Sequence, residues 1–236
     1  MDSTSVSRTS STKAADFVAS VRRLQPRTAA FDCDGTLWAG DAGEGFFDWE
    51  LKQGLLPDEI VAWARARYAD YKSGTVDEET MCGEMVTMHR GMNEDEVQRA
   101  AGHYFDRHMA SQIFPEMRDL VHRLRESGCD IWAVSSTNEW AIRAAMKQFG
   151  ISEKRILAAK VQVEQGTITD RLVRIPTGEG KARAIREVVQ GDIDAAFGNS
   201  RWDTAMLEIA RHSFAVNPNP DLEEVARGRR WTIYFP

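Results

Sequence analysis

Cysteine is scarce in this chain: there are three, Cys33, Cys82 and Cys129. The number is odd and no two lie close enough in sequence to form a metal-binding pair. A disulfide scaffold and a zinc knuckle are therefore set aside, and reduced thiols in a cytoplasmic protein are expected. Long apolar runs are missing too; none approaches the ~20 residues that cross a bilayer. Residues 1–12 are rich in Ser and Thr but have no apolar stretch, so no secretory signal is expected, and residues 1–13 are read as a disordered tail. An excess of positive charge is the third absence. Thirty Lys and Arg stand against 36 Asp and Glu, a net charge of −6. Such a chain repels polyanions as a whole, so neither nucleic acid nor a membrane surface is an expected partner. There is no internal repeat.

What is present is an ordinary globular composition, 42% hydrophobic and 28% charged, enough to build a core. Phe17, Val18, Val21 and Leu24 recur at helical spacing, and Pro26 ends that helix. Thr28 to Phe31 is a short apolar strand that runs at once into Asp, Cys, Asp and Gly. From Trp38 to Gln112 the pattern is helical throughout, with helix starts at Pro57-Asp58-Glu59, at Thr75-Val-Asp-Glu-Glu and at Asn93-Glu-Asp-Glu. Met81, Met85 and Met88 repeat at helical spacing and read as core filler. Beyond Pro115 helices alternate with strands: Asp130–Val134, Leu157–Val163, Thr167–Thr169, Ala195–Phe197, Ser213–Val216 and Trp231–Phe235. Alternation of this kind predicts a Rossmann-like α/β fold, a parallel sheet with helices on both faces. Its domains are then a core of residues 14–37 and 113–236, with a helical insertion of residues 38–112. In such sheets the ligand sits beyond the carboxyl ends of the strands.

Four chemically competent segments fall at those ends. Asp32 and Asp34 are two residues apart, and Gly35 lets the backbone turn so that both carboxylates face one pocket. A carboxylate is a competent nucleophile toward phosphorus, and a second one nearby can act as general acid and then base. Ser135 and Ser136 follow the strand ending at Val134, where a hydroxyl and helix-start N–H groups can hold a phosphate oxygen. Lys181 opens a helix and can neutralise phosphate and nucleophile together. Asn199 and Asp203 offer oxygens suited to a hard cation such as magnesium. Asp32 and Asp34 complete that expected metal set, and Gly35 and Thr36 join Ser136 as expected phosphate contacts.

This order of motifs resembles the haloacid dehalogenase superfamily, in its phosphoserine-phosphatase-like branch. Asp32-Cys-Asp-Gly-Thr-Leu37 matches the first motif, Ser135 the second, Lys181 the third and Asn199 with Asp203 the fourth. The resemblance implies a Mg2+-dependent phosphatase that works through an aspartyl-phosphate on Asp32, with Ser135 and Lys181 holding the phosphoryl group. It implies that the helical insertion of residues 38–112 is a cap, and it implies a small phosphorylated metabolite as substrate and a monomer or homodimer.

Two departures from the family pattern stand out. Asn199 replaces an Asp, which keeps an oxygen ligand but removes a charge. In the cap, Asp41 and Glu44 are counterparts of an acid that meets a substrate ammonium, but no arginine stands where one would meet a substrate carboxylate; Arg90 lies beyond the place. Glu44, Phe46, Phe47, Trp49, Glu78, Glu79 and Glu84 then suggest a lining for an amine or quaternary ammonium, as in phosphoethanolamine or phosphocholine. The rival readings are a phosphoryl transferase or mutase on the same scaffold, a dehalogenase (against which Asp34 argues), and a binding protein that has lost catalysis.

Overall fold

The computed structural model describes residues 4–236 in backbone, and residues 1–3 lie outside it. The chain opens with helix α1 (Thr4–Arg23) and strand β1 (Thr28–Phe31), then runs through α2 (Ala42–Gln53), α3 (Asp58–Lys72), α4 (Glu78–Thr87) and α5 (Glu94–Tyr104). A π-turn at Phe105–Met109 and a 3-10 turn at Ala110–Gln112 lead to α6 (Pro115–Glu126), β2 (Asp130–Asn138) and α7 (Glu139–Phe149). There follow β3 (Ile156–Glu164), β4 (Thr167–Arg174), α8 (Glu179–Val188), β5 (Ile193–Gly198), α9 (Thr204–Glu208), β6 (Ala210–Val216), α10 (Pro220–Arg229) and β7 (Thr232–Tyr234). Helix α1 thus begins well ahead of Phe17, at Thr4, and covers most of the segment read as a disordered tail.

One seven-stranded sheet carries the fold, in the order β4-β3-β2-β1-β5-β6-β7. Its strands are parallel except β4, which returns antiparallel to β3 through Gln165-Gly166. The sheet is therefore mixed rather than wholly parallel as expected. A two-residue turn leaves no length for a crossover helix, so β4 can only pair antiparallel. Side chains alternate across the sheet with a period of two. In β1, Ala29 and Phe31 face one core and Ala30 the other; in β5, Ala195 and Phe197 oppose Ala196. On the first face Phe31, Phe197 and Phe214 stack in series, with ring centres 4.1 and 4.7 Å apart. Helices α1, α6 and α7 cover that face, while α8, α9 and α10 cover the other.

Helices α2 to α5 form the insertion between β1 and β2, as expected of a cap. They have a small core of their own around Phe47, Leu51, Leu56, Ala64 and Met88. Among the described residues no helix is long and apolar enough to cross a membrane.

The second expected loop is built differently from the sequence reading. Strand β2 does not stop at Val134; it continues to Asn138 and pairs there with Ala159. Val134 pairs with Leu157, so four steps on β2 oppose two on β3. The surplus bulges at the sheet's carboxyl edge and re-aims Ser135, Ser136 and Thr137.

Candidate active site

Asp32 follows directly on β1, its backbone N–H donating to the Phe197 carbonyl of β5 at 2.9 Å. Its carboxylate is almost wholly enclosed. Oδ1 accepts from Lys181 Nζ at 2.6 Å, and Oδ2 accepts from the Thr36 hydroxyl at 2.8 Å. Burial first and Asp203 second push its pKa up to about 6, against the pull of Lys181. Thr36 is fully buried beneath the carboxylate, so it supports Asp32 instead of facing the cavity as a phosphate contact.

Lys181 sits in the first turn of α8 with 2% of its surface exposed. Its Nζ bridges Asp32 Oδ1 and, at 2.5 Å, Asp203 Oδ1, with a third bond to the Val134 carbonyl at 3.2 Å. Burial alone lowers a lysine's pKa, but Asp203 and Asp32 outweigh it and hold this ammonium charged, well above the usual lysine range. Asp203 has no exposed surface, and its other oxygen accepts from the N–H groups of Asn199 and Ser200, both at 2.9 Å. Both its oxygens are thus committed, one to the lysine and one to the loop after β5. Asp203 is expected to act on the metal directly or through a water; with both oxygens engaged it stands behind Lys181 and offers no free oxygen for a direct contact.

Asp34 is held on three sides. Oδ1 accepts from the Trp38 indole N–H at 2.8 Å and from the Ala42 backbone N–H at 2.5 Å, while Oδ2 meets the Thr137 hydroxyl at 2.7 Å. Ala42 opens the cap helix α2, so the cap itself touches this carboxylate. Burial, then the charge of Asp41, push the Asp34 pKa up to about 8. Both carboxyls of the motif are raised, Asp34 further than Asp32, so near neutral pH Asp32 is the one left ionised and Asp34 the one that keeps its proton, the division of labour an acid–nucleophile pair needs.

Gly35 has φ +73°, and a Cβ there would overlap the Asn199 side chain. Only glycine lets Asn199 lie against this turn. The Asn217 amide, itself on a residue with φ +47°, donates to the Gly35 carbonyl at 3.2 Å and fixes the turn from the β6 side. Ser135 is buried, and its Oγ accepts from the Thr137 N–H at 3.2 Å. Asp32, Asp34, Gly35, Ser135, Ser136, Lys181 and Asn199 line one cavity at the carboxyl ends of β1, β2 and β5.

Asp41 and Glu44 line the same cavity where it meets the cap. Asp41 caps α2 through the Glu44 N–H at 2.8 Å. A second cavity continues from there, walled by Asp41, Glu44, Tyr68, Tyr71, Lys72 and Glu78. The expected aromatic lining is elsewhere: Phe46 and Phe47 are buried in packing, and Trp49 packs against Phe46 and Tyr104. Glu84 is bound by Arg67 at 2.8 Å, and Glu79 is exposed outside the cavities. No arginine lines either cavity among the described residues. Sequence reading missed Trp38, Thr137, Asn217, Tyr68, Tyr71 and Lys72. The i, i+3 and i, i+4 spacing of Tyr68, Tyr71 and Lys72 was the one signal that could have grouped the last three.

Among the described residues no three His, Cys, Asp or Glu side chains converge as a metal cluster. The donor chemistry nevertheless fits a hard cation. Asp32, the Asp34 carbonyl and the Asn199 amide each supply an oxygen, the donor a hard cation prefers. Burial, and after it the charge of Asp203, raise Asp32 despite Lys181, and a cation beside the carboxylate would favour its ionised form.

Fold and site together define an α/β protein with a carboxylate at a strand end beneath an inserted cap. The model of the haloacid dehalogenase-like hydrolases matches residues 29–208, and the chain belongs to that family. It is 24% identical over 216 residues to the histidinol-phosphatase of Neisseria meningitidis serogroup C, covering 87% of this chain and 96% of that protein. A crystal structure of a Bordetella pertussis Tohama I protein of unknown function shares the fold with a TM-score of 0.78 at 22% identity, covering 88% of this chain and 98% of the other. A substrate-bound phosphoserine phosphatase shares it with a TM-score of 0.59 at 15% identity, covering 89% and 92%.

Proposed function

We propose that the protein is a Mg2+-dependent phosphomonoesterase that forms an aspartyl-phosphate on Asp32. The observation that carries this reading is the placement of Asp32, ionisable and gripped by Lys181, beside an Asp34 whose environment favours the proton. In this reading Asp32 attacks phosphorus in line, forming the acyl-phosphate bond. The ester oxygen departs and takes its proton from Asp34. Asp34, now a carboxylate, then removes a proton from water as that water attacks phosphorus and releases Asp32. Lys181 neutralises charge at the nucleophile, Ser135 and the bulge around Ser136 receive the phosphoryl oxygens, and Asp203 positions Lys181. Asp32, the Asp34 carbonyl and Asn199 would hold the magnesium, which supplies charge neutralisation at the phosphoryl group.

The substrate in this reading is a small phosphorylated metabolite whose leaving group carries a cationic nitrogen, of the phosphoethanolamine or phosphocholine type. The acids and phenols of the second cavity, and the absence of arginine from it, support that class over a substrate with a carboxylate. The name of the Neisseria relative supports phosphatase chemistry and puts histidinol phosphate on the panel to be assayed. The test is phosphate release from p-nitrophenyl phosphate, phosphoethanolamine, phosphocholine, histidinol phosphate and phosphoserine, with and without magnesium. Magnesium-dependent release with an amine ester preferred over phosphoserine is expected. No release from any ester would sink the phosphatase reading in favour of phosphoryl transfer to another acceptor or of binding alone.

A further inference from the structure

The second cavity already holds an ammonium, and it is the protein's own. Lys72 ends α3, and its Nζ lies 3.3 and 3.4 Å from the two carboxylate oxygens of Glu44 on α2. The same Nζ stands 5.0 Å from the centre of the Tyr68 ring and 5.9 Å from that of Tyr71, inside cation–π range of both. The two phenols are kept neutral, by burial first and then by Glu44 for Tyr68 and Glu78 for Tyr71. Tyr71 donates to Glu78 at 2.5 Å, which fixes its ring. One carboxylate and two oriented rings therefore surround a single cation, in a cavity with two further carboxylates, Asp41 and Glu78, in its wall.

The occupant is loosely seated. The Lys72 side chain is 54% exposed, its bonds to Glu44 are long, and a lysine stem can swing its head into water without disturbing the helix. Exposed pairs of this kind hold weakly and yield to a competitor. Every group that holds Lys72 would hold an incoming ammonium equally well. The cavity is also continuous, through Asp41, Glu44, Tyr71 and Glu78, with the one that contains Asp32.

We propose that Lys72 is a displaceable self-ligand of this subsite, its ammonium standing where the substrate's cationic nitrogen binds and leaving when the substrate enters. The proposal rests on reading the cavity as the leaving-group subsite. It makes Lys72 a specificity-determining residue: a cationic leaving group must compete with it, and a neutral one leaves it in place. It also favours a primary ammonium, which reproduces the donors Lys72 gives to Glu44, over a quaternary one, which has none.

The experiment titrates ethanolamine, without any phosphate, into the wild type and into Lys72→Met, which keeps the stem and removes the charge. Binding is read by calorimetry and by ligand-induced thermal stabilisation. Lys72→Met is expected to bind ethanolamine about three- to tenfold more tightly, Lys72→Arg to stay near wild type, and Glu44→Gln to bind more weakly. In turnover Lys72→Met should lower KM for phosphoethanolamine. Unchanged or weakened amine binding in Lys72→Met, or no amine binding by any of the proteins, overturns the proposal. Absence of ester hydrolysis by the wild type counts against the phosphatase reading alone, because the amine titration needs no turnover.

Discussion

The two halves of the cavity system are built on opposite plans. At the carboxyl edge of the sheet Asp32, Lys181 and Asp203 are enclosed, and every oxygen of Asp32, half-buried Asp34 and Asp203 has a partner. Under the cap the side chains of Lys72 and Glu44 are exposed, the bonds between them are longer, and the cation is held from the side by Glu44 and two rings. The first arrangement suits chemistry, where a nucleophile and an acid must be fixed before the substrate arrives. The second suits selection, where a subsite must accept one head group and release its product.

If the halves divide the work in this way, changes on the sheet side should strike turnover and stability while changes on the cap side move binding. The largest effect is expected from Asp32→Asn, a loss of about 1,000-fold or more in kcat with the fold retained. A circular-dichroism spectrum alongside the assay checks the fold. Lys181→Met should cost about 3–5 kcal/mol of stability in denaturant titration, because it leaves Asp32 and Asp203 buried together without the cation between them. A destabilisation within about 1 kcal/mol would mean that this side is no more committed than the cap, where exposed pairs contribute at most that much.

Much of the sheet side was legible before the structure. An apolar strand running into Asp-Cys-Asp-Gly fixes where Asp32 and Asp34 must lie, because the backbone itself carries them to the strand end. Ser135, Lys181 and Asn199 followed for the same reason, each standing next to its own strand or helix start. What could not be read were contacts between elements far apart in sequence. Thr137 reaches Asp34 because β2 bulges beyond Val134, and a bulge depends on the partner strand. Thr36 and Asp203 were assigned by residue type, but their burial turned them inward, onto Asp32 and Lys181. In the cap, Glu44 and Lys72 are on different helices, and Phe46 and Phe47 look alike in sequence to any aromatic that lines a pocket. Nothing local separates a ring that packs from a ring that faces a ligand.

A smaller effect is expected where the halves meet. Thr137→Val removes the hydroxyl on Asp34 Oδ2 and should lower kcat about 10-fold or more on alkyl phosphates, whose leaving oxygen needs a proton. p-Nitrophenyl phosphate, with a leaving group stable as an anion, should be nearly unaffected, and Thr137→Ser should restore the alkyl esters. Equal losses on both ester types would assign Thr137 to structure alone. The pH dependence of stability supplies a gentler check on the metal-free protein. The Asp34 pKa is raised from the ordinary 3.8 to about 8, so the folded state binds that proton more tightly than the unfolded chain. Its contribution is full below the ordinary carboxylate value and is lost as pH rises through about 8. Asp34→Asn should therefore melt higher than wild type at pH 8, with the difference vanishing near pH 4. Melting curves of the two proteins across that range, without magnesium, decide it.

The most direct test of Asp32 as the nucleophile is to stop turnover with acid and look for the phosphoryl group on the protein. Peptide mass spectrometry should find one phosphoryl group on the peptide containing Asp32, released by hydroxylamine and absent from Asp32→Asn. Rapid turnover with no phosphoryl group on that peptide, or with the group on another residue, would contradict the assignment of Asp32 as the nucleophile.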